Sequence, residues 1–252
     1  LAPDHPARSS LLPRIAEGSL RLAIGHPLNP LVSDAQLAEV LILPHGDEVH
    51  LLPRAAVDVE ANPSIDASRR LGRVTWNPTP ATLLVGGAQG RAVQAQLLDR
   101  GALSVAGQLL GLAQRMLDLS VDYVAQRKQF GKAIGSFQAV KHHLADVARQ
   151  IEQAKPVLYR AAPGLARGDA SASLWVSQAR LACCEASWLA ARKGIQVHGA
   201  MGYTWEVDLQ MFMKRAWALD ASWGDRGFHK SRVGAYLFAD TARLGPGHTF
   251  ED

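Results

Sequence analysis

The uneven distribution of proline divides this sequence into two parts that favour different secondary structure. Ten of its 13 prolines lie before residue 90, whereas residues 91–238 contain only two, Pro156 and Pro163. Proline lacks a backbone N–H and its ring disrupts a helix interior, so long helices are expected only in the second part. We therefore predict an α+β chain in which a β region precedes a helical region.

The proline-rich part carries short runs of β-favouring residues that end at turn-forming residues. Such runs are typical of strands separated by turns. They occupy residues 20–24, 40–43, 49–52, 73–76 and 81–85. This pattern predicts a small, β-barrel-like domain over residues 18–90, preceded by a connector with a short helical piece at residues 1–17.

The second part repeats its apolar residues at steps of three and four, which is the spacing of an amphipathic helix. Helices are predicted over residues 94–127, 137–159, 172–197 and 207–237, with loops at residues 131–136 and 163–168. Four helices of this length joined by short loops are typical of an up-down bundle. We therefore assign residues 91–240 to a C-terminal four-helix bundle and residues 241–252 to a frayed tail.

Composition argues against two kinds of partner. Hydrophobic residues make up 48% of the 252 positions, but no run of 18 uncharged apolar residues occurs, so no membrane-spanning helix is expected. The net charge of +4 is spread among interleaved basic and acidic residues. This pattern argues against nucleic-acid binding and is better suited to a small acidic ligand.

Two adjacent cysteines, Cys183 and Cys184, lie in a helical pattern, where neighbouring side chains point about 100° apart. They cannot close an unstrained disulfide, and we expect two small buried side chains in a reducing, cytoplasmic environment. The first residues lack the charged start and apolar run of a signal peptide, which indicates a processed or trimmed chain.

A cationic and aromatic segment follows the first long predicted helix. Arg127 and Lys128 come first, and Phe130 and Gly131 follow directly. Cations suit a helix C-terminus, so one interpretation is a helix cap alone. A planar guanidinium also forks onto phosphate oxygens, so Arg127 is at the same time a candidate ligand for a diphosphate.

A loop of small residues joins the last two predicted helices. Gly199 and Gly202 let its backbone approach a ligand closely, and Gln196 can donate a hydrogen bond to that ligand. Most loops of this kind are ordinary turns, so both interpretations stay open. His142 and His143 are adjacent and face different directions on a helix, so no metal site is predicted.

Five segments follow one another in a fixed order along the helical part. They are Gly111-Leu-Ala-Gln-Arg-Met-Leu-Asp118, Arg127-Lys-Gln-Phe-Gly131, Phe137-Gln138, Leu144-Ala-Asp146 and Gln196-Val-His-Gly-Ala-Met-Gly-Tyr203. Together they resemble the C-terminal helical domain of the acyl-CoA dehydrogenase family. Upstream, Leu12-Pro-Arg-Ile-Ala-Glu-Gly18 is similar to the start of the family's middle β domain. The resemblance implies the family's fold with its N-terminal helical domain absent or truncated.

The resemblance also implies a flavin shared between subunits. In this family FAD lies between subunits, and the bundle of one subunit grips the ADP half of a flavin seated on its neighbour. Arg127 matches the family position that contacts the pyrophosphate. The other matching positions are Phe130, Phe137, Gln138, Gln196, Val197, Gly199 and Ala200.

Two flavin-ring motifs of the family are missing. Where the family has Thr-Glu-Pro followed by Gly-x-Gly-Ser-Asp, this chain has Gly25-His-Pro-Leu-Asn-Pro30, with Ser33 and Asp34 displaced. We find no counterpart of the family's later Trp-x-Thr. The resemblance therefore implies an eroded ring site on this chain.

The family's catalytic base is a glutamate, and it is missing from both places where the family carries it. Alignment puts Gly101 at the first place and, depending on the register, Trp223 or Asp225 at the second. The base must reach the α-carbon proton while a hydride leaves the β-carbon. No residue of this chain is assigned that role.

These similarities and losses predict one subunit of a heteromeric, FAD-dependent acyl-CoA dehydrogenase. A homologous partner subunit would supply the flavin ring site and the base, and an electron-transfer protein would accept the electrons. Paired bacterial members of the family act on sterol side-chain CoA thioesters, so a bulky steroid thioester is the expected substrate. Two alternatives stay open, namely a self-sufficient homotetramer with Asp225 as base and a helical scaffold that binds no flavin.

Overall fold

A computed structural model describes residues 6–239 together with residues 242 and 245. The chain divides into two compact units, Leu1–Leu98 and Asp99–Asp252. The first five residues of the predicted connector lie outside the described residues, as does the tail predicted for residues 241–252 apart from residues 242 and 245.

In the residues described, the first unit contains one complete α-helix and two small sheets. Helix α1 spans Pro6–Ala16. One sheet contains, in spatial order, β1 Leu22–Ile24, β3 Val40–His45, β4 Glu48–Pro53 and β7 Leu83–Val85. The other contains β2 Val32–Ser33, β6 Leu71–Thr75 and β5 Asp58–Asn62. Neighbouring strands are antiparallel except β1 and β3, which are parallel.

The hairpin of β3 and β4 supplies much of the core of this unit. Its register pairs Leu41 with Leu52, and Gly46 makes the turn at a φ of 55°. Buried residues alternate along β3 because successive side chains of a strand point to opposite faces. The buried core residues are Ala23, Val32, Ala35, Ala38, Leu41, Leu43, Leu52 and Val57.

The two sheets correct the expectation of a barrel-like domain. In the described part of this unit neither sheet closes on itself, because β1 and β7 are the edges of one sheet and β2 and β5 are the edges of the other. Closure requires every strand to pair on both sides with a consistent stagger. Strands of two or three residues offer too few backbone hydrogen bonds to continue the pairing.

Each of the five predicted strands overlaps an observed strand, whereas β2 and β5 escape the sequence pattern. β2 has only two residues. β5 reads Asp58-Val-Glu-Ala-Asn62 and lies at the edge of its sheet, where polar side chains reach solvent. Its own apolar alternation is weak, and pairing with β6, in which Val59 lies opposite Val74, stabilises it instead.

The second unit is mainly helical. Its helices are α2 Gly87–Gln126, which begins before the division between the units, α3 Gln138–Arg167, α4 Ala172–His198, α5 Leu209–Asp220 and α6 Arg226–Leu237. A hairpin of β8 Lys128–Gln129 and β9 Lys132–Ala133 joins α2 to α3. The helix predicted over residues 172–197 is confirmed to within one residue.

The single helix predicted over residues 207–237 is wrong, because the chain breaks between α5 and α6. Trp223 lies in this break at a φ of 57°, and Gly224 follows at a φ of 87°. Two successive residues in the left-handed region cannot continue a right-handed helix. The described residues of this unit form five helices where four were expected, and the four-helix bundle predicted for residues 91–240 is not confirmed.

The loop predicted at residues 163–168 is also wrong, because α3 continues through Pro163 to Arg167. The helix ends where Gly168 adopts a φ of 78° and donates to the carbonyl oxygen of Gly164 at 3.1 Å. Pro156 and Pro163 are both exposed, so the carbonyls that lose a helical partner can reach water. The prolines are therefore tolerated on the solvent face of a helix whose other face is buried.

The core of the second unit draws side chains from α2, α3, α4 and α5. It includes Leu109, Met116, Ile151 and Leu209, together with both cysteines. The two thiols are free and buried, which confirms the prediction that they pack as small side chains. Burial raises the pKa of Cys183 to about 12 and that of Cys184 to about 11, so both are neutral near pH 7.

Arg180 lies in the interior of the second unit with 1% of its surface exposed. Its Nη2 donates hydrogen bonds to the carbonyl oxygens of Leu219 at 2.9 Å, Asp220 at 2.8 Å and Ser222 at 3.4 Å. The last carbonyls of a helix have no partner within that helix, so Arg180 caps α5 from α4. The Asp220 carboxylate lies 3.8 Å from Nη1 and offsets the buried charge.

Arg180→Met should leave the α5 carbonyls without a donor while retaining an extended side chain. We expect the free energy of unfolding to fall by about 3–5 kcal/mol, as when a buried charged network loses one member. Urea denaturation followed by circular dichroism measures this loss. Arg192→Met is the control, because Arg192 is exposed on the same helix, and should change stability by at most about 0.5 kcal/mol. Equal losses in both variants would contradict this role.

Candidate functional site

Arg127 is the first residue after α2 and its side chain is exposed. Its backbone is fixed on both sides: its N–H donates to the carbonyl oxygen of Tyr123 at 2.9 Å, and its own carbonyl accepts from the N–H of Ile134 at 2.8 Å. Among the described residues no carboxylate forms an ion pair with its guanidinium. The positive charge is therefore held at a defined place and is available to an anion.

The hairpin after Arg127 exposes an aromatic ring. Phe130 and Gly131 are the two turn residues between β8 and β9, with φ values of 51° and 79°, as in a type I′ turn. A left-handed conformation costs a phenylalanine about 1–2 kcal/mol. The side chain of Phe130 is 91% exposed, and its ring lies edge-on to Phe137 at 6.2 Å between centroids. The hairpin therefore holds an aromatic ring at the surface in a conformation that is unfavourable for its backbone.

The start of α3 lies beside the same hairpin. A 3₁₀ turn at Ile134–Ser136 leads to Phe137, which occupies the N-cap position in extended conformation, and Gln138 is the first helical residue. The ammonium of Lys132 lies 4.3 Å from the centroid of the Phe137 ring. Gln138 is exposed. The hairpin therefore gathers the side chains of Arg127, Phe130, Phe137 and Gln138 at one end of the unit.

The second predicted segment reaches the same end of the unit from α4. The ring of Tyr123, in the last turn of α2, stacks on His198 at 4.2 Å between centroids. The Tyr123 hydroxyl also donates to the His198 carbonyl oxygen at 3.4 Å. Val197 is buried in a cluster with Val124 and Leu144, so the ends of α2 and α4 and the start of α3 pack together.

This packing fixes where the predicted residues of α4 lie. Gln196 is exposed in the last turn, while Gly199 and Ala200 are exposed in the 3₁₀ turn that follows. Gly199 adopts a φ of 60°, and a Cβ on it would have nothing within 4 Å, so the backbone there is open to approach. Burial lowers the pKa of His198, so this histidine is neutral at pH 7 and adds no charge.

The three positions considered for a base lie near the break between α5 and α6 or on the helix that faces it. A Cβ on Gly101 would lie 2.1 to 2.5 Å from three atoms of the Trp223 ring, so the indole sits directly over the glycine. The resemblance expects a glutamate at position 101 or at a second position, which is either 223 or 225. If the second position is 223, the two positions are in direct contact. Asp225 is exposed and accepts a hydrogen bond from the N–H of Phe228 at 2.8 Å, which makes it the N-cap of α6.

A buried carboxylate that the sequence pattern did not reveal lies two residues before Gly101. Asp99 is 5% exposed, accepts a hydrogen bond from the hydroxyl of Ser173 and lies 2.9 Å from Nη2 of Arg232. A single acidic residue in a helical run carries no sequence signal of burial, and its partners are 74 and 133 positions away in the chain. Because Asp99 is paired, we assign it a structural role in holding α2 to α4 and α6.

In the first unit, the polar residues that stand near the missing ring motif already have partners. The Ser33 hydroxyl accepts from Nη2 of Arg69 at 3.2 Å, and Asp34 lies 3.6 Å from Nη1 of Arg70. Asp34 also adopts a φ of 57°. These groups are engaged within the unit, which agrees with the displacement seen in the sequence.

The described residues contain no group of three histidine, cysteine, aspartate or glutamate side chains that could hold a metal ion. Among the same residues, no helix has both the length and the apolar character needed to cross a membrane.

Comparison with known proteins identifies the family. The family model "Acyl-CoA dehydrogenase, C-terminal domain" matches residues 88–237. The acyl-CoA dehydrogenase IpdE2 of Mycolicibacterium smegmatis is 35% identical over 213 residues, which are 83% of this chain and 61% of that protein. The chain therefore belongs to the acyl-CoA dehydrogenase family, and it spans about three-fifths of the length of this relative.

Two further comparisons agree with this assignment. The caffeyl-CoA reductase–Etf complex subunit CarC of Acetobacterium woodii is 39% identical over 113 residues, which are 45% of this chain and 30% of that protein. The solved structure of glutaryl-coenzyme A dehydrogenase in complex with glutaryl-CoA superposes with a TM-score of 0.84 at 20% identity. That superposition covers 96% of this chain and 72% of the solved chain, and it establishes a shared fold.

The contact between Gly101 and Trp223 can be tested by stability alone. Gly101→Ala should lower the free energy of unfolding by about 1–3 kcal/mol, because the added methyl group overpacks against a rigid ring. In the Trp223→Ala background the same change should instead stabilise α2 by up to about 1 kcal/mol, the helix preference of alanine over glycine. Urea denaturation of the four variants of this cycle measures the coupling.

Gly107→Ala is the matched control, because a Cβ at this position of α2 would have nothing within 4 Å. It should be neutral or stabilising in both backgrounds. The same penalty for Gly101→Ala with and without the indole would show that the ring does not lie over the glycine.

Proposed function

We propose that this chain is one subunit of a heteromeric, FAD-dependent acyl-CoA dehydrogenase. In this proposal it holds the ADP half of the flavin, while a homologous partner subunit supplies the flavin ring site and the catalytic base. The observation that carries the proposal is a contrast along α2. Groups suited to an anion surround its end at Arg127, whereas Gly101 and Trp223 stand where a carboxylate base is expected.

The side chains around Arg127 fit the chemistry of the ADP half of FAD. A diphosphate requires cationic donors, which Arg127 and its neighbour Lys128 provide. The exposed amides of Gln138 and Gln196 can donate further hydrogen bonds. The exposed ring of Phe130 offers an aromatic surface to a planar heterocycle. These groups support assignment of the ADP half to this end of the second unit.

FAD, when bound, supplies the acceptor for the hydride that leaves the β-carbon of the thioester. The residues of this chain bind and orient rather than react: Arg127 neutralises the diphosphate, and the turn at Gly199 lets backbone approach it. The α-proton must go to a carboxylate, and neither Gly101 nor Trp223 can accept it. We therefore assign that proton transfer to the partner subunit.

The names of the relatives support the substrate and acceptor classes. IpdE2 is an acyl-CoA dehydrogenase, and the glutaryl-CoA dehydrogenase with the same fold was solved with its thioester. CarC belongs to a complex with Etf, which supports an electron-transfer protein as the electron acceptor. The similarity of this chain to paired-subunit members of the family makes a bulky steroid side-chain thioester the substrate to test first.

Two other functions would use the same fold. A self-sufficient homotetramer would need Asp225 as base, but the hydrogen bond from Phe228 shows this exposed carboxylate acting as a helix cap. A helical scaffold without flavin would leave the groups around Arg127 without a ligand. The strained and exposed Phe130 beside Arg127 disfavours that interpretation, because strained residues cluster at functional sites.

Flavin content tests the ADP half of the proposal. In the complex co-purified with its partner, Arg127→Ala should weaken FAD binding by roughly 10- to 100-fold, the loss expected when a charged hydrogen-bond donor is removed. Gln196→Ala should act in the same direction but less strongly. The ratio of flavin to protein absorbance after dilution and gel filtration measures occupancy.

Arg100→Ala is the control for this experiment. Arg100 is exposed on α2 and lies about 40 Å from Arg127 along the helix, at 1.5 Å for each residue. It should leave FAD occupancy unchanged. If Arg127→Ala also left occupancy unchanged, the chain would not hold the diphosphate and the scaffold interpretation would replace the proposal.

Turnover tests the source of the base. Asp225→Asn should preserve the N-cap of α6, because asparagine caps as well as aspartate. We expect the complex to dehydrogenate a steroid side-chain CoA thioester or octanoyl-CoA within about twofold of the wild-type rate, with ferrocenium as acceptor. A self-sufficient enzyme would instead lose roughly 100-fold or more, the usual contribution of a general base. That outcome would favour the homotetramer.

A further inference from the structure

The placement of Trp223 requires two unfavourable features, one in its own backbone and one in α2. Its own backbone has a φ of 57°, a conformation that L side chains larger than asparagine rarely adopt. Its ring occupies the space that a methyl group on Gly101 would fill, so α2 must keep a glycine in its interior. Glycine is among the least favourable residues within a helix. A smaller side chain at position 223 would leave room for an alanine at position 101.

The surrounding residues fix this conformation. The Nε2–H of His229 donates to the carbonyl oxygen of Trp223 at 3.0 Å, and Nδ1 of His229 lies 3.1 Å from the hydroxyl of Ser177. His229 is fully buried, and burial lowers its pKa to about 4, so the neutral ring persists near pH 7. Gly224, at a φ of 87°, completes the turn that aims the indole at α2.

The ring lies where two apolar clusters meet. One cluster includes Leu109 and Met116, the other Ala102 and Val176, and Trp223 packs against both. Trp223 is nevertheless only half-buried, so part of it reaches the surface. An apolar group that packs between helices and is only partly buried has an environment similar to that of a ligand's apolar portion in a pocket.

We propose that Trp223 closes an apolar slot between α2 and the break before α6, so that this chain cannot receive the acyl portion of a thioester. This inference rests on the proposed function and deepens it. It explains why only one of two homologous chains would bind substrate. The partner would keep an open slot with a carboxylate, whereas this chain fills the equivalent space with its own indole. Trp223 is in this view a blocking residue and takes no part in the reaction.

The proposal predicts that removing the indole creates a binding site. Trp223→Gly deletes the ring and also suits the left-handed backbone. Butyryl-CoA is the probe, because its four-carbon chain is smaller than the vacated indole. Isothermal titration of the purified full chain, alone or with its co-purified partner, should show one more butyryl-CoA bound for each copy of this chain than in the wild type.

Two further variants keep the test decisive. Trp205→Gly removes an indole that is 79% exposed, and it should gain no butyryl-CoA. Trp223→Asn also opens the slot and tolerates a positive φ, so it replaces Trp223→Gly if that variant does not fold. Free indole is titrated in parallel, and it should raise the thermal midpoint of Trp223→Gly by several degrees while leaving Trp205→Gly unchanged.

Three outcomes would overturn the proposal. Trp223 would be ordinary core packing if the opened variants bound indole but no additional butyryl-CoA. The slot would not exist if they bound neither ligand. It would already be open if the wild type bound as much butyryl-CoA as the variants. Failure of the proposed function is separate, because it would appear as unchanged flavin content in Arg127→Ala.

Discussion

The buried guanidinium of Arg180 determines how the second unit is put together. It donates hydrogen bonds to the last carbonyl oxygens of α5 and so fixes the end of that helix inside the unit. Asp220, the last residue of α5, accepts hydrogen bonds from the thiol of Cys184 and the indole N–H of Trp188. Burial works to raise the pKa of Asp220, but the Cys184 hydrogen bond and the charge of Arg226 hold it below its usual value. The carboxylate therefore stays ionised beside the buried cation.

The segment between α5 and α6 begins at this cap, since Arg180 also donates to the carbonyl oxygen of Ser222. The chain leaves α5 after Asp220, and the turn at Trp223 and Gly224 presents the indole to α2 and leaves Asp225 outside as a helix cap. One buried network thereby separates the two residues that the sequence offered as alternatives at a single functional position. The far end of the same unit is organised differently, by the stacking of Tyr123 on His198 and by the hairpin at Phe130. The groups proposed to bind an anion collect there without any contribution from the Arg180 network.

The two ends of the unit support a division of labour between homologous chains. A cofactor grip can survive on a chain that has lost its own reaction site, provided that the cofactor is shared across an interface. The proposed cofactor site consists of exposed side chains held by short-range structure, namely the turn after α2 and the end of α4. The position proposed to lack a base depends on long-range packing, which places the indole of Trp223 over Gly101. Loss of one therefore need not disturb the other.

Local sequence signals determined the proline-rich and helical halves, five of the strands and the helix at residues 172–197. They also picked out the segments around Arg127 and Gln196. Each of these features depends on neighbours that are close in the chain. The tertiary structure alone decided the open sheets, the passage of α3 through Pro163, the break at Trp223 and the burial of Asp99 and Arg180. In each of these cases the free energy comes from partners tens of residues away. Hydrophobic spacing records which face of a segment is buried, but it carries no information on which distant group will cap a helix or fill the space above a glycine.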